Sequence, residues 1–377
     1  MIDMLTLKPE AFGIDISDLS LKIVKLKRKK NFFDLVSFGE MEIPANIISG
    51  GEIKDEKALA KIIKEALNNV NGEKLKTKYV IASLPEEKSF LQVIQLPKIK
   101  EEEVKKAIPF EAENYVPLPV DQVYLDFQMI PPWHENQEHL DVLIAALPKK
   151  TVDPYLSSLK EAGLKPLAFE IESQAIIRSL VKNNVSSLPV LVIDFGATRT
   201  GFIIFSGNSL RFTTSIPVSS RGFTEAISKN LEVDFISAEK LKRKYGLGEK
   251  VESKEYKTDV LTIKKSRIFE FLIPILTDFT EQIKKYLNYY QTHAFHEHYS
   301  KNGNIVTKII ISGGGANLRG LANFLSSELK IPVELANPWL NIFPPVAKKA
   351  PKLPFDKSLS FTTALGLALR GTNSILK

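Results

Sequence analysis

PVLVIDFGATRTGFIIFSGNSLRFTTSIPV, residues 189–218, decides how the chain is read, because AFGIDISDLSLKIVKLKRKKNFFDLVSFGEMEIP, residues 11–44, follows the same plan. Each begins with an apolar strand closing on an aspartate, Asp194 or Asp15, the two lying 179 positions apart. Each makes a polar turn rich in Ser, Thr or Gly, runs a second strand, turns again and adds a third strand ending Ile-Pro. The second turns are Gly207-Asn208 and Lys29 to Asn31. Helical segments follow both, at 221–233 and 55–70, with apolar residues at i, i+3, i+4 and i+7. A hairpin tip of small residues with free N–H groups forms an anion-binding concavity, and a carboxylate beside it holds a hydrated divalent cation. One Asp turn is an ordinary turn former. Two in matched context predict a cleft that grips a nucleotide triphosphate from both sides.

A third element is TKIIISGGGANLRGLANFLSSEL, residues 307–329, read as a buried strand (308–312), three glycines and an amphipathic helix. Glycines between a strand and a helix N-terminus admit a ligand to the backbone and to the helix dipole. No Gly-Lys-Ser/Thr follows, so it is not a P-loop, and the third glycine of a dinucleotide fingerprint would fall at Leu318. Between the two hairpins lie a strand (87–97), a helix (100–115) interrupted at Pro109, strands at 122–130 and 139–147, and a helix at 149–162. That βαββα order predicts a small inserted α+β subdomain. The chain returns as KPLAFEIESQAIIRSLV (165–181), with a helix starting near Glu172. AEKLKRKYG (238–246) reads as a helix stopped by Gly246, and a long helix at 266–296 is expected to kink or break at Pro274. PPVAKKAPKLPFD (344–356) reads as a surface loop, and SFTTALGLALRG (360–371) as an apolar helix.

With 377 residues, 44% apolar and 25% charged, the chain has the make-up of a soluble globular protein of several domains. The absence of cysteine excludes disulfides, thiol nucleophiles and Cys-ligated zinc. The N-terminus lacks signal-peptide organisation, and no apolar run reaches the ~18 residues of a membrane span. The net charge of +7 includes two basic runs, KLKRKK (25–30) and EKLKRKYG (239–246). They read as a solvated strand end and helix face, with a nucleic-acid or anionic-lipid patch as the alternative. His293, His296 and His298 do not converge, since 298 falls about 200° round a helix from 296, so no zinc site is expected. The tyrosines of YLNYYQTH are expected in core packing.

The order of Asp hairpin, inserted subdomain, second Asp hairpin, helical insertion and GGG turn resembles the actin-like ATPase superfamily. Within it the chain is similar to the PilM family of type IV pilus assembly proteins, akin to FtsA. The motifs that carry this are GIDISDLSLKIVKL, EAENYVPLP, FEIESQAI, VIDFGATRTGFIIF, AEKLKRKYG, ISGGGANLRGL and ALGLALRG, spread over essentially the whole chain. The resemblance implies an α/β, duplicated ribonuclease H-like fold with the βαββα insertion. Four subdomains are implied: 1–86 with 164–188 (1A, helix 358–377 packing on it), 87–163 (1C), 189–220 with 300–357 (2A) and 221–299 (2B).

It also implies ATP and Mg2+ as ligands. Asp15 and Asp194 would bind the metal through water. Ser17, Ser20 and Lys22 form the first phosphate loop, Lys22 reaching the β/γ-phosphates. Gly196, Thr198 and Thr200 form the second. Glu172 is the candidate catalytic, water-positioning acid, Glu239 and Lys242 hold ribose and adenine, and Gly313, Gly314, Gly315 and Asn317 match the adenosine motif. Two positions depart from the family pattern: Ser17 stands for a glycine, and Ser173 replaces the proline after Glu172. Weak hydrolysis at most is expected. The implied partner is the N-terminal cytoplasmic peptide of a PilN-like membrane protein, docked between the first two subdomains. Further implied partners are pilus assembly ATPases or a second copy, with no nucleic acid and no direct membrane insertion. The implied location is cytoplasmic, peripheral at the inner membrane through the partner. The alternatives are an FtsA-like division protein, which carries an amphipathic C-terminal tail, and a small-molecule kinase, which needs an added general base and substrate pocket.

Overall fold

The computed structural model describes residues 9–30, 32–131, 138–248, 255–257, 262–293, 305–344 and 352–372. The chain opens with β1 (Phe12–Ile16), β2 (Ser20–Lys29), β3 (Phe32–Glu42), the short β4 (Ile48–Ser49) and β5 (Glu52–Ile53), α1 (Glu56–Asn68), β6 (Asn71–Gly72) and β7 (Tyr79–Leu84). Next come β8 (Phe90–Pro97), α2 (Glu101–Ala112), β9 (Val123–Ile130), β10 (His139–Pro148), α3 (Lys149–Glu161), β11 (Lys165–Ile171) and α4 (Glu172–Leu180). The second half has β12 (Ser186–Phe195), β13 (Thr200–Gly207), β14 (Ser209–Ile216), α5 (Ser220–Leu231), α6 (Phe235–Tyr245), β15 (Glu255–Lys257), β16 (Thr262–Lys264) and α7 (Lys265–His293). β17 (Lys308–Ser312), α8 (Leu321–Leu329), β18 (Val333–Leu335), α9 (Phe355–Ser358) and α10 (Thr362–Thr372) complete it. Two units result: Met1–Ser186 with Asn208–Thr213 and Asn337–Lys377, and Ser187–Gly207 with Thr214–Ala336.

Unit 1 is built on a six-stranded sheet, β11-β7-β1-β2-β3-β6, in which β11, β7 and β1 are parallel. Side chains alternate faces along a strand. Phe12, Ile14 and Ile16 of β1 pack with Leu59 and Ile63 of α1 and with Val152, Tyr155 and Leu159 of α3. The other face meets α10 and α4, and there Gly13 is required: a Cβ would lie 2.6 Å from Ala364 O and Ala368 N. The inserted segment shows the expected βαββα order, with an antiparallel β8-β10-β9 sheet covered by Val104, Ile108 and Ala112 of α2. Its last helix behaves differently from expectation, because the apolar stripe of α3 belongs to the core of the large sheet.

Other differences concern proline and chain return. Pro109 does not interrupt α2. Lys105, whose carbonyl loses its helical partner there, is exposed to water. Pro274 likewise lies inside an unbroken α7. Residues 337–344 and 352–357, expected with 189–220, group with unit 1, because Trp339, Ile342 and Leu353 pack on Val24, Leu26 and Phe361. Residues 208–213 do the same. The rest of the expected 344–356 loop, and His296 and His298, lie outside the described residues.

Unit 2 centres on a sheet of order β14-β13-β12-β17-β18, with β12, β17 and β18 parallel. Phe195 of β12 packs on Phe279 (ring centroids 5.3 Å) and Phe223 (5.4 Å), and Phe202 meets Tyr286 at 5.6 Å. Tyr290 is buried as well. Two tyrosines of the YLNYYQTH run thus serve the core, while Tyr289 is exposed and stacks on His293. Gly246 ends α6 as expected, at φ 57°, where a Cβ would meet Arg319 O at 2.6 Å.

Candidate functional site

In unit 1 the parallel strands end at a set of acids. Asp15, opposite Lys22 across the β1–β2 ladder, is 6% exposed. One of its oxygens accepts from the Ser83 hydroxyl at 3.0 Å, and the same hydroxyl accepts from Ile16 N–H at 2.9 Å. Burial pushes the Asp15 carboxyl up, against the downward pull of the Lys22 ammonium and the Ser83 hydroxyl. Lys22 donates to Ser20 Oγ and lies 3.8 Å from Glu40. Ser17 ties the turn, its N–H and hydroxyl both donating to Ser20 O at 2.9 and 3.0 Å. Its φ is not positive, so the backbone at this position does not require glycine.

β11 pairs with β7 so that Ile171 faces Leu84, which brings the start of α4 beside residues 85–88. Glu172 Oε2 accepts from Glu86 N–H at 3.3 Å, and Glu86 Oε2 accepts from Ser173 N–H at 3.1 Å. This reciprocal clamp holds the first turn of α4 to the end of β7. Glu86 is 7% exposed and its Oε1 makes no hydrogen bond. Its role had no signal in the sequence, since SLPEE reads as a polar turn. Burial pushes the Glu86 carboxyl up, against Thr213 and Ser173. A carboxyl raised on folding stabilises fully below its unfolded value near 4.5 and loses that contribution as pH rises through the folded value. Glu86→Gln, which mimics the neutral form, is therefore expected to gain stability over the wild type as pH climbs above about 4.5. Parallel urea-unfolding curves across pH with the same offset at pH 4 and pH 8 would refute this.

Tyr155, reaching in from α3, donates its hydroxyl to Gly51 O at 3.2 Å. Burial, then the charges of Glu172, Glu87, Asp18 and Asp15, push that hydroxyl well up. The structure thus gathers Asp15 and Glu172 in one electrostatic neighbourhood with two acids the motifs did not single out. Asp18 is spent on structure in part, accepting from Gly50 and Gly51 N–H at 3.1 and 2.9 Å.

In unit 2, Asp194 faces Ser312 across the β12–β17 ladder, so the Asp turn and the triple glycine adjoin. A Cβ on Gly313 (φ 84°) would lie 2.5 Å from Phe195 O and 2.8 Å from Asp194 Oδ1, and one on Gly315 2.6 Å from the Phe195 ring. Gly196 N–H donates to Asp194 O and Arg199 O, at 3.1 and 3.0 Å, closing a tight turn in which Thr198 is half-buried. Thr200 is placed differently from expectation: it is fully buried and its hydroxyl donates to Val218 O at 2.6 Å. The glycines lead into a short 3-10 turn, Gly314–Asn317, and regular helix begins only at Leu321. The expected helix dipole directly behind them is therefore not found. Asn317 is exposed, its amide donating to Gly314 O at 3.3 Å.

Glu239 and Lys242 sit on one face of α6, as their spacing predicts. The Lys242 ammonium is buried and meets Glu239 Oε2 (2.8 Å), Thr224 Oγ1 (2.7 Å), Ser220 O (2.8 Å) and Ser220 Oγ (2.9 Å). Burial pushes its pKa down against the pull of Glu239. Three protons are satisfied within the protein, so Lys242 stitches α6 to α5. Burial pushes the Glu239 carboxyl up, but hydrogen bonds from Lys242, Thr224 and Arg243 outweigh it and hold the value at about 2. Among the described residues no cluster of three His, Asp or Glu side chains is arranged to hold a metal directly.

A family model described as "Type IV pilus assembly protein PilM" matches residues 13–372. The chain belongs to the PilM family. It is similar to a solved PilM-PilN type IV pilus biogenesis complex, at TM-score 0.77 and 28% identity, covering 96% of this chain and 98% of that one. MreB 5 of Spiroplasma citri bound to AMPPNP shares the fold at TM-score 0.56 and 13% identity, over 97% of this chain and 96% of that one. The cell division protein FtsA of Buchnera aphidicola subsp. Baizongia pistaciae is 24% identical over 202 residues, 49% of this chain and 46% of FtsA. The chain thus spans about half the length of the curated relatives it matches. The fold is the actin-like α/β fold expected from the two hairpins. No helix among the described residues is long and apolar enough to cross a membrane.

Proposed function

We propose that this PilM-family protein binds ATP with Mg2+ and couples nucleotide state to docking of the N-terminal cytoplasmic peptide of a PilN-like inner-membrane protein. The observation that carries it is the chemical duplication. Each unit places an aspartate one residue before the end of a parallel strand, beside a tight polar turn, and unit 2 adds a glycine turn that tolerates no Cβ. The solved PilM-PilN complex supports the partner.

The residues suit a hydrated cation. A buried carboxylate such as Asp15, pushed up by desolvation, is relieved by a divalent charge nearby. When bound, Mg2+ supplies charge neutralisation for the β- and γ-phosphates. Asp15 and Asp194 would hold it through water. Lys22 adds a cation, Ser17, Ser20, Gly196 and Thr198 offer hydroxyl or N–H donors, and Gly313 to Gly315 with Asn317 leave room for adenosine. Glu172 orients the attacking water and is positioned by Glu86. Glu239 and Lys242 shape the nucleoside side as a preformed pair, and Thr200 supports the turn from inside. Hydrolysis is weak at most. The protein sits at the inner membrane through its partner.

Calorimetry tests this reading. The PilN-like peptide is expected to bind with micromolar affinity that differs between Mg–ATP and nucleotide-free protein. Asp194→Ala should weaken ATP by roughly 100-fold, remove that difference and keep peptide binding. Undiminished ATP affinity in the variant would sink the site. Peptide affinity blind to ATP would sink the coupling.

A further inference from the structure

We propose that unit 1 carries a second site, a dock for anionic phospholipid headgroups, at the end of its sheet opposite Asp15 and Glu172. β1, β7 and β11 run parallel, and the acids lie at their C-terminal ends, where ligands of such sheets bind. At their N-terminal ends a pocket of about 530 Å3 opens, with Lys25, Lys76, Lys78 and Lys165 among its lining residues and Glu10 as its acid. That volume falls in the range of small-molecule sites.

The pocket has a fixed frame. The Thr77 hydroxyl donates to Glu10 O at 2.7 Å and accepts from Tyr79 N–H at 3.1 Å, while Lys165 N–H donates to Lys78 O at 2.8 Å. Lys25 is paired with Glu10 at 3.2 Å. Lys76, Lys78 and Lys165 make no ion pair among the described residues, and these three lysines from two chain segments line one cavity. All three are exposed, so they are available to an anion from outside.

The basic run read from sequence as a solvated strand end lies on this same edge. Gly13 faces Val24 in the ladder, so Lys27, Arg28 and Lys29 run on beyond the start of β1, all exposed. Lys29 pairs with Asp34, leaving Lys27 and Arg28 for an outside anion. A lone soluble phosphate would meet the pocket only. A bilayer presents many phosphates in one plane and engages pocket and hairpin tip together. Ammonium groups suit this, since they bind phosphate as point charges without demanding one orientation.

The full chain should co-sediment with phosphatidylglycerol vesicles at low salt, release at high salt, and ignore phosphatidylcholine vesicles. Combining Lys76→Glu, Lys78→Glu and Lys165→Glu should weaken vesicle binding by roughly 100-fold, about fivefold per lysine, with ATP affinity and melting unchanged. The three Lys→Gln changes should show a smaller loss, and they decide the matter if the glutamate variant fails to fold. Equal binding by wild type and variants, or no preference for phosphatidylglycerol, would overturn the proposal. So would a pocket that binds inorganic phosphate by 31P NMR while the protein ignores vesicles. Because the lysines lie at the end of the sheet opposite Asp15, failure here leaves the nucleotide reading standing, and the reverse holds.

Discussion

Gly366→Ala is expected to leave no stably folded protein. Gly366 lies in α10 where it crosses α4, and a Cβ there would sit 1.8 Å from Ala175 O and 2.5 Å from Ala175 C. Both atoms are backbone, so no rotamer change relieves the overlap. Nor can α10 retreat. It is pressed on β1, where Gly13 leaves no Cβ to separate the strand from Ala364 and Ala368. Ordinary overpacking costs about 1–3 kcal/mol, and a clash of this depth should exceed about 4 kcal/mol. That is a large part of the ~5–15 kcal/mol by which a domain is stable. Soluble yield and circular-dichroism melting are the measurements, with Leu365→Met as a volume-conserving neighbour expected to cost under about 1.5 kcal/mol. A Gly366→Ala protein melting with the wild type would show that α10 packs elsewhere.

The second large effect is expected at Glu170, on β11. Its side chain is 1% exposed and takes both terminal nitrogens of Arg178, while Arg370 of α10 reaches Oε1 at 2.9 Å. Glu170→Ala would leave two guanidinium groups, 22% and 26% exposed, without their carboxylate. Breaking one partner of a buried ion pair costs about 3–5 kcal/mol, because the remaining charge stays desolvated. Urea unfolding should show a lowered midpoint at unchanged slope. Arg370→Ala should cost less in the Glu170→Ala background than in the wild type, since its partner is already gone. A loss under about 1 kcal/mol for Glu170→Ala would place this triad among surface pairs.

What could be read from the sequence was local. The placement of Asp15 and Asp194 near strand ends was legible because strand, turn and hairpin are encoded within a few residues. Gly313 and Gly315 were legible for the same reason, because a turn without room for Cβ needs glycine wherever the rest of the chain goes. What stayed hidden depends on partners far along the chain. Nothing near Tyr155 says that α3 leaves the inserted sheet for the core beside β1. Nothing near Thr200 says that its hydroxyl goes to Val218 O. Glu86 sits in an ordinary polar turn, and only the β7–β11 ladder, 87 residues apart at Leu84 and Ile171, turns it into a clamp on α4. Pro109 misled because a proline is tolerated inside a helix when its orphaned carbonyl meets water, which local sequence does not reveal.

The return of residues 337–372 to unit 1 sets an order of events at the ribosome. The face of β1 that holds Gly13 lacks its main cover until α10 has been made, and Ser186 to Thr372 must first be translated. At about 5–20 residues per second that interval is roughly 10–40 s. Unit 2, lying almost wholly inside it, has its segments before unit 1 has its last. The nascent chain therefore waits with an open apolar sheet, and a chaperone that shields β1 and β7 during that interval would raise yield more than one acting after release.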